Sequence, residues 1–104
     1  LANQELDLEI GPYHFKPQSQ SVLLNGDTCD LTSKDFELAW YLFRHIRRLL
    51  SRDNLLRDVW GVTGLNTRTV DVHVSRIRKR MNINPDQGFR IKTIYQHGYR
   101  LEQI

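Results

Sequence analysis

A single cysteine, Cys29, is the entire thiol content of this 104-residue sequence. One cysteine excludes an internal disulfide and fits a reducing compartment. No apolar run approaches the roughly 20 residues that cross a bilayer. Leu1 to Leu8 has neither the basic start nor the long apolar centre of a secretory leader. Internal repeats and low-complexity tracts are missing. His14, His45, His73 and His97 are scattered without metal-ligand spacing, so no zinc site, other metal or cofactor is expected. Asp53 and Asp58 lie on different faces of their helix. There are no paired carboxylates for acid–base work, no Gly-x-Ser-x-Gly turn and no phosphate loop. The chain is therefore read as a non-enzyme. Ser75, beside Arg76 and near His73, is read as a contact residue rather than a nucleophile.

What is present is the composition of one soluble domain, 39% hydrophobic and 26% charged. The charge is unevenly spread. Residues 1–43 hold seven acids and two bases, whereas residues 44–104 hold thirteen bases and five acids. A half that basic suggests a polyanionic partner, nucleic acid first and an anionic membrane second, against chance clustering on a solvated surface.

The hydrophobic period divides the chain. Leu6 to Ile10 and Tyr13 to Lys16 alternate with period two, broken by Gly11-Pro12. Ser21 to Leu24 and Asp27 to Leu31 flank Asn25-Gly26, a pair suited to a tight hairpin turn. Four short antiparallel strands are expected. Thr32 then reads as an N-cap, with Asp35 three residues on completing an acidic capping box and Leu31 and Phe36 as a staple. Phe36, Ala39, Trp40, Phe43 and Ile46 predict a first helix to about Arg47, with Trp40, Tyr41 and Phe43 in the core. Leu49-Leu50 is an extended link. Ser51 caps a second helix with Leu55, Leu56, Val59 and Trp60 as its buried stripe, stopped by Gly61. Thr67 or Asn66 caps a third helix to about Met81. Phe89 to Ile94 and Tyr99 to Leu101 read as a closing hairpin around Gln96-His97-Gly98.

The third helix carries the functional signal. At about 100° per residue, Val70, Val74, Ile77 and Met81 share one face. Arg68, Val72, Ser75, Arg76 and Lys79 lie opposite, flanked by Thr69, His73 and Arg80 on one side and by Asp71 and Arg78 on the other. Five bases stand against one acid, Asp71, which is placed to pair with Arg68 or Ser75. The other bases have no helical acid nearby, so a solvated helix laced with salt bridges fits poorly. A membrane-surface helix would set large apolar groups beside its bases. Here the bases alternate with small side chains that let a backbone approach base edges. Arginine bonds guanine O6 and N7 bidentately, and Val72 suits a thymine methyl. Only Tyr13 and Tyr95 are candidate exposed aromatics, too few for a single-strand stacking platform.

Four linked stretches resemble one family. Leu31-Thr32-Ser33-Lys34-Asp35-Phe36-Glu37-Leu38 is similar to its helix 1 opening, and Leu50 to Gly61 to its second helix. Arg68 to Arg80 is similar to its recognition helix, and Ile91-Lys92-Thr93-Ile94 with Gly98-Tyr99-Arg100-Leu101 to its wing. The family is the OmpR/PhoB-type response regulators, whose effector domain is a winged helix-turn-helix. The resemblance implies an α+β fold with an N-terminal four-stranded antiparallel sheet, a three-helix core and a C-terminal β-hairpin wing. It covers nearly the whole chain. It implies residues 1–5 as a linker remnant and residues 6–104 as the DNA-binding domain, with the receiver domain not contained in these 104 residues.

The same resemblance implies a cytoplasmic bacterial transcription factor that binds double-stranded DNA. Arg68, Val72, His73, Ser75, Arg76 and Lys79 match or adjoin base-facing positions. Arg52, Trp60, Arg78, Arg80 and Thr93 match positions near phosphate. Tyr95, Gln96 and His97 form the wing tip, where the family's usual arginine is replaced by Tyr95. The helix 1 exit departs too: Ile46-Arg47-Arg48 stands where the family has a Pro-Gly-like turn, and these arginines meet phosphate or solvent. Gly61, Val62, Thr63, Gly64, Leu65 and Asn66 match a loop that contacts RNA polymerase. Further implied partners are a receiver domain, a sensor kinase and tandem promoter half-sites, with a monomer free in solution and a dimer on DNA. The alternative is a winged-helix module that docks an acidic protein.

Overall fold

The computed structural model describes residues 6–63 and 66–104. The expected linker remnant, 1–5, and two members of the expected polymerase loop, Gly64 and Leu65, lie outside the described residues. A four-stranded antiparallel sheet opens the chain: β1 (Leu8–Ile10), β2 (Tyr13–Lys16), β3 (Ser21–Leu24) and β4 (Asp27–Thr28), in that spatial order. Helices α1 (Ser33–Arg44), α2 (Arg52–Leu55) and α3 (Arg68–Arg80) follow. A second, two-stranded sheet, β5 (Phe89–Ile94) and β6 (Gly98–Gln103), closes it. This is a winged helix-turn-helix. Among the described residues, no helix is long and apolar enough to cross a membrane.

The period-two alternation of β2 and β3 turns Tyr13, Phe15 and Val22 inward onto α1. There an aromatic cluster forms. Phe15 meets Phe43 at 4.9 Å and Trp40 at 5.4 Å between ring centroids, and Tyr13 meets Phe43 edge-on at 5.2 Å. Each such ring contributes about 1.5–3 kcal/mol by burial alone. Tyr13, read from sequence as a possible exposed aromatic, is instead fully buried, and its hydroxyl donates to the Met81 carbonyl at 2.9 Å. That bond ties the first sheet to the end of α3.

The capping box at Thr32 forms as expected. The Thr32 hydroxyl accepts from the Asp35 amide, and the Asp35 carboxylate accepts from the Thr32 amide, both at 3.1 Å. Other boundaries differ. Strand β1 begins at Leu8 rather than Leu6, and β4 ends at Thr28 rather than Leu31. Helix α1 stops at Arg44 rather than Arg47. The reason lies in β6: the Arg47 amide donates to the Leu101 carbonyl at 2.8 Å, and Leu50 and Tyr99 exchange both backbone bonds at 2.9 Å. The link after α1 thus leaves the helix to pair with β6. Arg47 makes the turn at φ 72°, where the sequence offers no glycine. Tyr41, expected in the core, is half-buried, and its hydroxyl donates to Asp58.

The second helix is not uniform. After α2 the chain widens into a π turn over Leu56–Trp60, ended by Gly61 in the left-handed conformation. Leu55, Leu56 and Val59 are buried, but Trp60 is only half-buried and lies edge-on to His73 at 5.0 Å. The start of α3 is held from one residue outside: the Asn66 side chain accepts from the Arg68 amide at 2.9 Å, while the Thr67 side chain caps nothing.

Gly98 is where β6 comes closest to the link. A Cβ there would sit 2.1 Å from the Leu50 carbonyl oxygen and 2.8 Å from Ser51 Cα, at a φ of 132°. The Gly98→Ala variant is expected to lose about 2–4 kcal/mol of stability, since both backbone strain and overlap oppose it. Its thermal midpoint should fall by about 10 °C or more. A midpoint unchanged in calorimetry would show that the wing does not pair with the link in solution.

Candidate nucleic-acid interface

Burial of Val70, Val74, Ile77 and Met81, each fully buried, fixes the roll of α3. The opposite side then presents Arg68, Val72, Ser75 and Lys79 as exposed residues. They follow at i, i+4, i+7 and i+11, which is one ridge of a helix. Val72 is 54% exposed, a large apolar group in the middle of a basic ridge.

The remaining candidates on α3 are not on that ridge. Arg76 donates through Nη2 to Asp35 Oδ2 at 3.1 Å, and Arg80 through Nη1 to the same oxygen at 3.3 Å. His73 is half-buried; its Nδ1–H donates to the Thr69 carbonyl at 2.8 Å, and its ring meets Trp60. Arg78 reaches the wing, donating to the Ile91 carbonyl and, at 3.0 Å, to the Thr93 hydroxyl. Its guanidinium also lies 5.7 Å from the Tyr99 ring centre. Along the helix itself these bases have no acidic partner. The partner of Arg76 and Arg80 comes from α1, 41 and 45 residues away in sequence.

Helical spacing places Asp71 to pair with Arg68 or Ser75. Its hydrogen-bond partners are instead Arg52 at the start of α2 and Tyr99 in β6. Arg52 Nε donates to Asp71 Oδ1 at 2.7 Å, the Tyr99 hydroxyl donates to the same oxygen, and the Arg52 guanidinium lies 4.9 Å from the Tyr99 ring centre. Burial pulls the Asp71 carboxyl upward, but the hydrogen bonds from Tyr99 and Arg52 outweigh it and hold the group below its ordinary range. Burial, followed by the bond to Asp71, raises the Tyr99 hydroxyl. Through Arg52, Asp71, Tyr99 and Arg78, the second helix, α3 and the wing become one unit. The family resemblance sets Arg52 and Arg78 near phosphate and does not single out Tyr99. A tyrosine after the wing glycine was the available signal, but only the fold shows what its hydroxyl meets.

At the wing tip, Tyr95, Gln96 and His97 are all exposed, Tyr95 at 81%. Gln96 carries the turn at φ 61°, and the His97 amide donates to the Ile94 carbonyl at 2.9 Å. Before α3, Val62 is half-buried against the core, and Gly61, Thr63 and Asn66 are exposed. Around the exposed ridge, Arg52, Arg78 and Tyr99 thus brace α3 to the second helix and the wing, and Arg76 and Arg80 brace it to α1.

Residues 26–101 match the family described as transcriptional regulatory protein, C terminal. The alkaline phosphatase synthesis transcriptional regulatory protein PhoP of Bacillus subtilis is 42% identical over 106 residues, covering 99% of this chain and 44% of that protein. The transcriptional regulatory protein RstA of Escherichia coli is 38% identical over 94 residues, covering 88% of this chain and 39% of that protein. The chain thus spans less than half the length of these relatives. Among solved structures, the Klebsiella pneumoniae RstA DNA-binding domain in complex with the RstA box superposes with a TM-score of 0.81 at 33% identity, covering 94% of this chain and 98% of that one. The DNA-binding domain of Escherichia coli CpxR superposes with a TM-score of 0.83 at 26% identity, covering 95% and 98%.

The Asp71–Tyr99 bond has a measurable consequence. Tyr99→Phe is expected to cost about 1 kcal/mol at neutral pH. Because the folded Asp71 carboxyl is held below its ordinary value of 3.8, its contribution is present above that value and is lost as pH falls below it. Chemical denaturation of both forms from pH 7 to pH 2 should show the gap closing only in the acid range. A gap constant across that range would exclude Asp71 as the partner.

Proposed function

The chain belongs to the transcriptional regulatory protein C-terminal family, the OmpR/PhoB-type effector domains, and on that basis we propose that it binds double-stranded DNA sequence-specifically to control transcription. The observation that carries this reading is the exposed ridge Arg68, Val72, Ser75 and Lys79. A helix with its side chains is about 10–12 Å across, and the major groove is about 12 Å wide. Eleven residues at about 1.5 Å each give the ridge a length of roughly 16 Å, close to five base steps. Arginine and lysine at the ends match purine acceptors. Val72 matches a thymine methyl, and Ser75 is small enough to let the helix seat closely.

In this reading Arg68, Val72, Ser75 and Lys79 face the bases, with His73 and Arg76 at the border of that set. Arg52, Trp60, Arg78, Arg80 and Thr93 lie towards phosphate. For Arg52, Arg78 and Arg80 the internal bonds aim the guanidinium rather than remove it, since an arginine has five donors. The wing tip, Tyr95 to His97, meets the backbone or the minor groove. The loop 61–66 faces RNA polymerase. The whole protein is a cytoplasmic bacterial response regulator, with a receiver domain phosphorylated by a sensor kinase, acting as a dimer on tandem half-sites.

A gel shift with random duplex at low salt is the first test, and a module that docks only proteins would give none. With about five phosphate contacts per monomer, the log–log salt dependence should have a slope near −4 to −5. A salt-insensitive affinity would rule out the interface. On a site selected from random duplexes, Arg68→Ala should cost about 1–3 kcal/mol and relax the preference at one position. A loss equal on all sequences would reassign Arg68 to phosphate.

A further inference from the structure

Asp35 carries an arrangement that a helix cap alone does not require. Its side chain is fully buried where α1 meets α3. One oxygen, Oδ2, accepts from the Thr32 amide at 3.1 Å, from Arg76 at 3.1 Å and from Arg80 at 3.3 Å. The other oxygen, Oδ1, is buried without a hydrogen-bond partner among the described residues. Two guanidinium groups share one carboxylate, one more cation than its charge requires. Taking the sole partner from a buried charge is strongly unfavourable. Here one arginine can leave while the other stays.

The two arginines are not equivalent. Around the helix axis, Arg76 lies about 70° from the centre of the exposed ridge and Arg80 about 110°. Their side chains are 32% and 38% exposed, so both heads sit at the border of core and solvent. Arg76 is nearer to where base edges would lie. Arg80 is placed to remain behind.

We propose that Asp35 is a positioning residue for DNA selectivity: it withholds Arg76 from unmatched duplex and releases it to a guanine edge in the seated complex, while Arg80 keeps the buried carboxylate compensated. This rests on the duplex-binding reading above. In a loose complex the groove is full of water and the phosphates are screened by salt. Moving Arg76 from Asp35 to such a phosphate exchanges one anion for another and gains little. When α3 seats against a matching site, water leaves, and a bidentate bond to O6 and N7 forms in a medium where it is stronger. The carboxylate thus removes one cation from sequence-independent binding without removing it from the matched complex.

Asp35→Asn tests this, because the amide keeps the shape and an acceptor for the Thr32 amide but removes the charge. Affinities are measured against salt for a site selected from random duplexes and for a scrambled duplex. The variant should bind the scrambled duplex about tenfold more tightly, with a log–log slope steeper by about one. The selected site should gain less, so the ratio falls, and Asp35→Glu should restore it. Both affinities falling together with unchanged slopes would overturn the proposal, leaving Asp35 as a fold contact only. If the variant does not fold, the unmodified protein decides. Its Arg76 guanidinium NMR signals should keep their free shifts on the scrambled duplex and move on the selected site. Movement on both, or on neither, overturns the proposal. A wild-type chain that binds no duplex at low salt would sink the DNA reading as well.

Discussion

Burial of one face of α3 is the contact on which the rest depends. Val70, Val74, Ile77 and Met81 are each fully buried. With that stripe seated in the core, every other position of α3 has a fixed direction, and Arg68, Val72, Ser75 and Lys79 point away from the core whatever else happens. The burial is non-directional in origin, but the helix converts it into a direction because its side chains are spaced at a fixed angle. The first sheet contributes through Tyr13, whose hydroxyl holds the carbonyl of Met81 where α3 ends. A sheet far from the exposed ridge thereby helps to set where that ridge lies.

Hydrophobic packing sets the roll, and two carboxylates fix the flanks. Asp35 from α1 holds Arg76 and Arg80 on one side. On the other, Asp71 takes Arg52 and Tyr99, and Arg78 grips β5 at Ile91 and Thr93. The helix is therefore braced to α1, to α2 and to the wing by charge-assisted bonds, a class roughly twice as strong as neutral ones. The same side chains have a double character. An arginine that braces the scaffold still presents further donors to a ligand, so stability and recognition are drawn from one set of residues.

The wing is anchored along β6 up to its last pair and left bare at its turn. Leu50 pairs with Tyr99, and Arg47 with Leu101, so the link after α1 acts as a third strand beside β6. Gly98 permits that approach because no side chain fits between it and Leu50. Beyond it, Tyr95, Gln96 and His97 are exposed. An anchored strand with a free turn suits a hairpin that must keep its place relative to α3 while its end meets a partner.

The sequence by itself determined the element order, the capping box at Thr32, the hairpin at Asn25-Gly26 and the exposed ridge of α3. Those features follow from local spacing: a period of two or of 3.6, a turn pair, a cap three residues from its partner. It also determined the family, since four motifs recur in one order. Only the tertiary structure decided where α1 ends, because the Arg47 amide answers to Leu101, 54 residues on. Only the tertiary structure removed Tyr13 from the surface and half-exposed Trp60. It alone showed that Arg76 and Arg80 share Asp35, and that Asp71 faces Arg52 and Tyr99 rather than its own helix. A helical wheel gives the direction of a side chain but not what stands there. A flexible arginine ends at whichever acid the packing of distant elements brings within reach, whereas the ridge is legible in the sequence because it lies opposite a buried stripe whose spacing is local.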